Sequence, residues 1–70
     1  MNYKRKVKVN KDAVYQHMYK KSCRLSIKKI CEAIHWKYDT VRHDLLFGEI
    51  MPDTLQDIAD YLEVKVEELQ

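Results

Sequence analysis

The sequence has little glycine, proline and cysteine, and it contains no long uncharged run. One glycine and one proline among 70 residues leave no low-complexity linker, and no internal repeat stands out. Two cysteines are too few for a disulfide framework. No stretch approaches the ~18 apolar positions of a membrane helix, and no apolar segment follows the basic start as in a signal peptide. We therefore expect one small cytoplasmic domain with no membrane contact.

Patterns that carry catalysis or bind metals are also missing. Without a pair of acids, a Ser/His/Asp set or a glycine-rich phosphate loop, we expect no enzyme, no cofactor and no small-molecule substrate. Four side chains have the chemistry of zinc ligands: His17, Cys23, Cys31 and His35. They lack the close Cys-x-x-Cys pair of structural zinc sites, and Cys31 lies in an apolar stripe where a cysteine is usually buried. We expect no metal.

Charge is unevenly distributed along the chain, although the net charge is only +2. Residues 1–30 hold ten Lys and Arg against one acid, whereas residues 31–70 hold three against ten acids. This asymmetry is typical of a protein with one face for a polyanion. Two halves of the surface that attract each other would give the same counts.

Two short helical patterns follow each other between residues 26 and 47. The first has apolar residues at the spacing of one helical stripe: Ile27, Ile30, Cys31 and Ile34. The second repeats that spacing at Tyr38, Val41 and Leu45, and predicts a helix over about 38–46. Two helices joined by a turn of about three residues form the helix-turn-helix of DNA-binding proteins. His35 tolerates the left-handed backbone usual at such a turn, and we expect the Trp36 ring to pack beneath it.

Three further helical segments are predicted around this pair. One runs from about Lys11 to Ser22 after the N-cap Asn10, with Val14, Tyr15, Met18 and Tyr19 as its apolar side. After a loop at 47–51 that turns at Gly48, another runs over about 52–62, starting at Pro52 or capped by Asp53. A last turn over about 66–69 closes the core or a dimer contact. The predicted fold class is all-α, a small bundle of about five helices.

The first nine residues are basic and precede the predicted helical domain at 10–70. They form an arm that reaches phosphates or a minor groove, or a frayed terminus. The alternation at 7–9 also fits a short strand, which would pair with a second chain or with nothing.

Residues 25–69 resemble the Cro and lambda-repressor family of helix-turn-helix domains, also called XRE-type. LSIKKICEAI is similar to the second helix of that family, and WKYDTV is similar to the start of its recognition helix. TLQDIADYLEVKVEEL is similar to the closing segment of the family. The resemblance implies a lambda-repressor-like domain of five helices that binds operator DNA, usually as a dimer, and regulates transcription.

Lysines at the start of the helix over 27–34 give the best electrostatic indication of nucleic acid. Lys28 and Lys29 oppose the helix dipole there, at a cost of typically ~0.3–1 kcal/mol each. A bound phosphate would reverse the sign, because exposed N–H groups and lysines both suit an anion. We therefore predict a sequence-specific DNA-binding regulator, repressor-like, whose partners are double-stranded DNA and a second copy of the chain.

Eleven residues are candidate DNA contacts, on the two helices of the predicted helix-turn-helix and at the basic start of the chain. The predicted base contacts in the major groove are Lys37, Tyr38, Arg42 and His43. The predicted phosphate contacts are Ser26, Lys28, Lys29, Thr40, Lys4, Arg5 and Lys6. The alternative function is a protein-interaction module, such as an antitoxin or an anti-repressor, with the same fold. Asp39 and Asp44 favour that alternative, because carboxylates on the recognition helix repel phosphate.

Overall fold

Four α-helices and two short strands make up most of the chain in a computed structural model, which describes residues 5–70. They follow in the order β1 (Val7–Lys8), α1 (Lys11–Lys21), α2 (Ile27–Ile34), α3 (Tyr38–Phe47), β2 (Glu49–Ile50), α4 (Pro52–Leu62) and a closing 3-10 helix (Val66–Leu69). The expected five helices are thus four α-helices. Four residues are too few for a ladder of i to i−4 hydrogen bonds, so the last segment forms a 3-10 helix instead.

The helices and both ends of the described chain enclose one hydrophobic core. Its buried apolar side chains are Val9, Val14, Met18, Ile27, Ile30, Cys31, Val41, Leu45, Ile50, Leu55, Ile58, Ala59, Leu62 and Leu69. Both predicted stripes, on α2 and α4, therefore face inward. No helix within residues 5–70 has the length and hydrophobicity to cross a membrane.

Helix boundaries agree closely with the caps read from the sequence. Asn10 accepts a hydrogen bond from the backbone N–H of Ala13 at 3.2 Å, and α1 begins after it. The bounds of α2 and α4 are as predicted, with Pro52 as the first residue of α4. The third helix extends one residue further than predicted, to Phe47, before Gly48 ends it at φ +83°.

Strand β1 pairs with β2 of the same chain, which corrects the prediction of a second chain or no partner. The two strands are antiparallel, with Val7 opposite Ile50 and Lys8 opposite Glu49. Ile50 is fully buried, so this short ribbon closes one side of the core. The predicted loop at 47–51 therefore contains a strand. A strand of two residues is too short to show an alternating pattern in the sequence.

The apolar side of α1 also needs correction. Val14 and Met18 are buried as predicted, but Tyr15 is 43% exposed and Tyr19 is 73% exposed. The inward face of α1 is completed by Ala13 and by His17, which are half-buried. The helix is therefore rotated away from the two tyrosines, whose hydroxyl groups favour contact with water.

The two ends of the described chain are joined by hydrogen bonds. The backbone N–H of Asn10 donates to the carbonyl of Leu69 at 2.7 Å. The side-chain amide of Gln70 donates to the carbonyl of Lys8 at 3.2 Å. These bonds hold the strand β1 and the start of α1 against the closing 3-10 helix.

Candidate nucleic-acid interface

The link between α2 and α3 is short and held by hydrogen bonds. His35 adopts the left-handed conformation predicted for it, with φ 62° and ψ 39°. The next N–H, of Trp36, donates to the carbonyl of Cys31 at 3.0 Å, which closes the end of α2 as in a Schellman motif. The half-buried Trp36 ring packs against the core, and its Nε1–H donates to Asp57 Oδ2 at 2.7 Å. The turn is therefore fixed to α4 as well as to the core.

The start of α2 presents cations and a capping serine to solvent. Ser26 Oγ accepts a hydrogen bond from the N–H of Lys29 at 3.2 Å, which confirms Ser26 as the N-cap. Lys28 and Lys29 are both exposed, and no acid occupies the first turn of α2. The Lys29 ammonium donates to the carbonyl of Arg24 at 3.4 Å. The cations that oppose the helix dipole thus have no anion beside them on this turn.

The outer side of α3 carries most of the predicted base contacts. All four of these side chains are exposed: Lys37, Tyr38, Arg42 and His43. Lys37 is the N-cap residue of α3 but makes no capping hydrogen bond with its side chain. The His43 ring lies against Phe47, with the ring centroids 4.6 Å apart. Lys37 and Arg42 make no ion pair with another residue between 5 and 70.

Asp44 on α3 is neutralised by a lysine from the start of the chain. The whole residue is 4% exposed, and its Oδ1 accepts a hydrogen bond from Lys6 Nζ at 2.9 Å. His43 Nδ1 lies 4.0 Å from the same oxygen. Asp44 therefore faces inward and does not present a bare negative charge on the outer side of α3, which removes it as an observation for the protein-interaction alternative.

The predicted phosphate contacts are placed in two groups. Ser26, Lys28, Lys29 and Thr40 are exposed on α2 and α3. Arg5 and Lys6 precede β1, and both are exposed, although the ammonium of Lys6 is already paired with Asp44. Lys4 lies outside the described residues. The segment just before β1 therefore holds Lys6 against α3, a contact between residues 38 positions apart that the sequence does not signal.

Acids on α4 bind groups of the protein itself. Asp57 accepts the Trp36 hydrogen bond, and Asp60 Oδ1 accepts one from the amide of Gln56 at 2.9 Å. After the end of α4, Glu63 Oε1 lies 3.5 Å from the ammonium of Lys21 on α1. Two of these carboxylates therefore join α4 to the α2–α3 turn and to α1, and the third makes a bond within α4.

Two groups of exposed apolar or aromatic side chains were not predicted as surface features. Leu46 is 61% exposed and Phe47 is 72% exposed at the end of α3. Tyr15 and Tyr19 are the second group, on α1. The helical period places Leu46 away from Val41 and Leu45, so a turn-by-turn reading of α3 would have found it.

The two cysteines differ in environment. Cys23 is exposed in the link between α1 and α2, whereas Cys31 is buried in the core. Burial raises the pKa of the Cys31 thiol because it disfavours the thiolate. Within residues 5–70, no three His, Cys, Asp or Glu side chains are grouped as metal ligands.

Comparison with known proteins adds no relative to this description. The chain matches no protein-family model, no curated protein and no solved structure. The arrangement of its own residues therefore carries the functional inference.

Proposed function

We propose that the protein is a sequence-specific DNA-binding regulator of the Cro and lambda-repressor type, in which α2 and α3 form the helix-turn-helix. Helix α3 lies in the major groove, with Arg42 reading a base edge and Lys37 at the groove entrance. The start of α2, with Lys28 and Lys29, lies against the phosphate backbone.

The observation that carries this proposal is which charged side chains around α2 and α3 have a partner and which do not. The exposed cations there are left without acidic partners among the described residues, while the one acid turned inward, Asp44, is paired with Lys6. In this segment the exposed cations outnumber the exposed acids by four to two: Lys28, Lys29, Lys37 and Arg42 against Glu32 and Asp39. This excess of cations suits a polyanion. The exposed carboxylate of Asp39 in the first turn of α3 complements the dipole of that helix.

The proposed regulator binds its site as a homodimer. A single domain of this size offers few base contacts, so useful affinity requires two copies on half-sites about 34 Å apart, one turn of DNA. Selection of binding sites from random duplexes should then return a two-fold symmetric sequence. An asymmetric consensus without a repeated half-site would contradict the dimer.

Salt dependence of duplex binding tests the proposal directly. We expect log K to fall linearly with log salt, with a slope of about −0.9 for each phosphate contact. Fluorescence anisotropy with a labelled duplex between low and moderate salt measures this slope. An affinity that does not change over that range would exclude phosphate contacts and the DNA-binding function with them.

Substitution of Arg42 tests the major-groove contact. Arg42→Ala should cost about 1–3 kcal/mol of discrimination at one base position, because a bidentate contact to guanine is lost. Lys65→Ala, outside α2 and α3, is the control and should leave discrimination unchanged. An equal loss on all sequences would make Arg42 a phosphate contact.

A protein-interaction module remains the second candidate because of Leu46 and Phe47. Two large apolar side chains exposed side by side, 61% and 72%, are typical of a protein-binding surface. This candidate predicts that Phe47→Ser abolishes binding of a protein partner. Wild-type protein that binds a protein partner but no duplex would favour this candidate over the regulator.

A further inference from the structure

Three exposed tyrosines gather where α1 meets the starts of α2 and α3. A cleft of about 260 Å³ lies there, and its lining combines the polar or aromatic side chains of Tyr15, Tyr19, Ser26, Lys28 and Tyr38 with the apolar side chains of Met18, Leu25 and Ile27. Tyr15 and Tyr19 are one helical turn apart on α1, Ser26 caps α2, and Tyr38 is the first residue of α3. The cleft therefore contains two of the proposed phosphate contacts, Ser26 and Lys28, and also includes a helix to which no DNA contact has been assigned.

The tyrosine hydroxyls are available to an external partner. The side chains of Tyr15, Tyr19 and Tyr38 are 43%, 73% and 39% exposed. None of their hydroxyl groups hydrogen-bonds to another residue between 5 and 70. Tyrosine hydroxyls are common donors to the phosphate oxygens of DNA.

The charge of the cleft matches an anion. Lys28 is the one charged side chain among its lining residues in the described chain. An adjoining hollow shares Tyr15 and Tyr19, and adds one cation, Lys20, and one acid, Asp12. Hydroxyl donors beside a lysine, with one acid in the adjoining hollow, suit an anionic sugar–phosphate strand better than a positively charged partner.

We propose that this cleft holds the phosphate backbone of the duplex, with Tyr15 and Tyr19 donating to phosphate oxygens beside Lys28. This inference rests on the proposed DNA-binding function and deepens it, because it makes α1 a third DNA-contacting helix. The contact carries no base information, so it strengthens binding to every duplex alike.

Removal of the two α1 hydroxyls tests the cleft. The double variant Tyr15→Phe/Tyr19→Phe should bind both its selected duplex and a random duplex about a hundredfold more weakly, because two hydrogen bonds to charged oxygens are lost. The salt slope should stay unchanged, since no charge is removed, whereas Lys28→Gln should reduce it by about 0.9. Tyr61→Phe, the same chemical change on α4, is the matched control and should bind like wild type.

The outcomes separate the cleft from the function as a whole. Wild-type protein that binds no duplex would overturn both proposals. Wild-type binding with an unchanged double variant would overturn the cleft alone, as would a loss confined to the selected duplex. A loss with Tyr15→Ala/Tyr19→Ala but none with the phenylalanine pair would also overturn it, since stacking on a base would then be the contact. Circular dichroism of each variant checks the fold.

Discussion

The cations of α2 and α3 and the anions of α4 are used in different ways. Lys28, Lys37 and Arg42 are exposed and have no acidic partner among residues 5–70. Asp57 and Asp60 instead accept hydrogen bonds from Trp36 and Gln56. The cations of the first region stay unpaired at the surface, whereas the two carboxylates of the second are hydrogen-bonded to side chains of the protein itself.

This difference shows why net charge is a poor guide to the function of this chain. The proposed DNA-binding surface differs from α4 in the charges that remain without a partner after folding. Pairing of Lys6 with Asp44 belongs to the same pattern, because it removes the inward acid of α3 from the balance on the outer side.

Reversal of charge at the start of α2 should have the largest effect. Lys28→Glu/Lys29→Glu should weaken duplex binding by about a hundredfold or more, because two contacts with phosphate become repulsions. The free protein should become more stable by about 0.3–1 kcal/mol per site, since acids complement the dipole. Anisotropy and urea denaturation measure the two effects. Lys65→Glu is the control, and an unchanged affinity of the double variant would contradict the phosphate role.

Breaking the pair between Lys6 and Asp44 should have the next largest effect. Lys6→Met leaves a buried carboxylate without its cation, and should cost about 1–2 kcal/mol of stability, less than a fully buried pair because water reaches the lysine. Lys6→Met/Asp44→Leu should recover most of the loss, because both charges are then gone. Urea denaturation of the two variants completes the comparison. A single variant as stable as wild type would show that the pair contributes nothing.

Loss of the Trp36 indole donor, which binds Asp57 on α4, should have a smaller effect on the stability of the fold. Trp36→Phe keeps an aromatic ring but removes the hydrogen bond to half-buried Asp57, and should cost about 1 kcal/mol. Thermal denaturation measures the change. Gln56→Leu, which removes the exposed hydrogen bond to Asp60, should change stability by no more than about 0.5 kcal/mol. Equal losses in the two variants would refute the structural importance of the tryptophan bond.

Glycine substitutions at the two left-handed helix ends should have the smallest effect on stability. His35 at φ 62° and Glu63 at φ 60° have nearly the same backbone, one in each region. His35→Gly and Glu63→Gly should each stabilise the fold by about 0.5 kcal/mol, because relief of strain slightly exceeds the flexibility gained by the unfolded chain. Denaturation of both variants tests this. Destabilisation by His35→Gly alone would mean that the imidazole has a role beyond its backbone.

Local signals predicted the helices well and the long-range contacts poorly. The bounds of α2 and α4 followed from the apolar stripe and from Ser26 and Pro52 at their starts. Strand β2 could not be predicted, because two residues have no period. The bond between Lys6 and Asp44 joins residues 38 positions apart, so no local pattern reports it.

The sequence predicted which residues of α2 and α3 form the candidate site better than it predicted how α1 packs beside them. The described contacts assigned on α2 and α3 are all exposed, which the helical period allows one to foresee. The tyrosines of α1 were assigned to the core because they lie beside Val14 and Met18 on the helix. Only the packing of α1 against the rest of the fold decides which flank of that pair is buried.

Closure of the described chain on itself has a consequence for how the domain opens. Asn10 donates to Leu69, and Gln70 donates to Lys8. The segment from β1 to the start of α1 and the final 3-10 segment therefore each keep the other from fraying. Hydrogen exchange at the Asn10 amide should therefore be as slow as that of amides in the middle of α4. Removing the last two residues would release the start of the fold, about sixty positions away, and would also take the fully buried Leu69 out of the core.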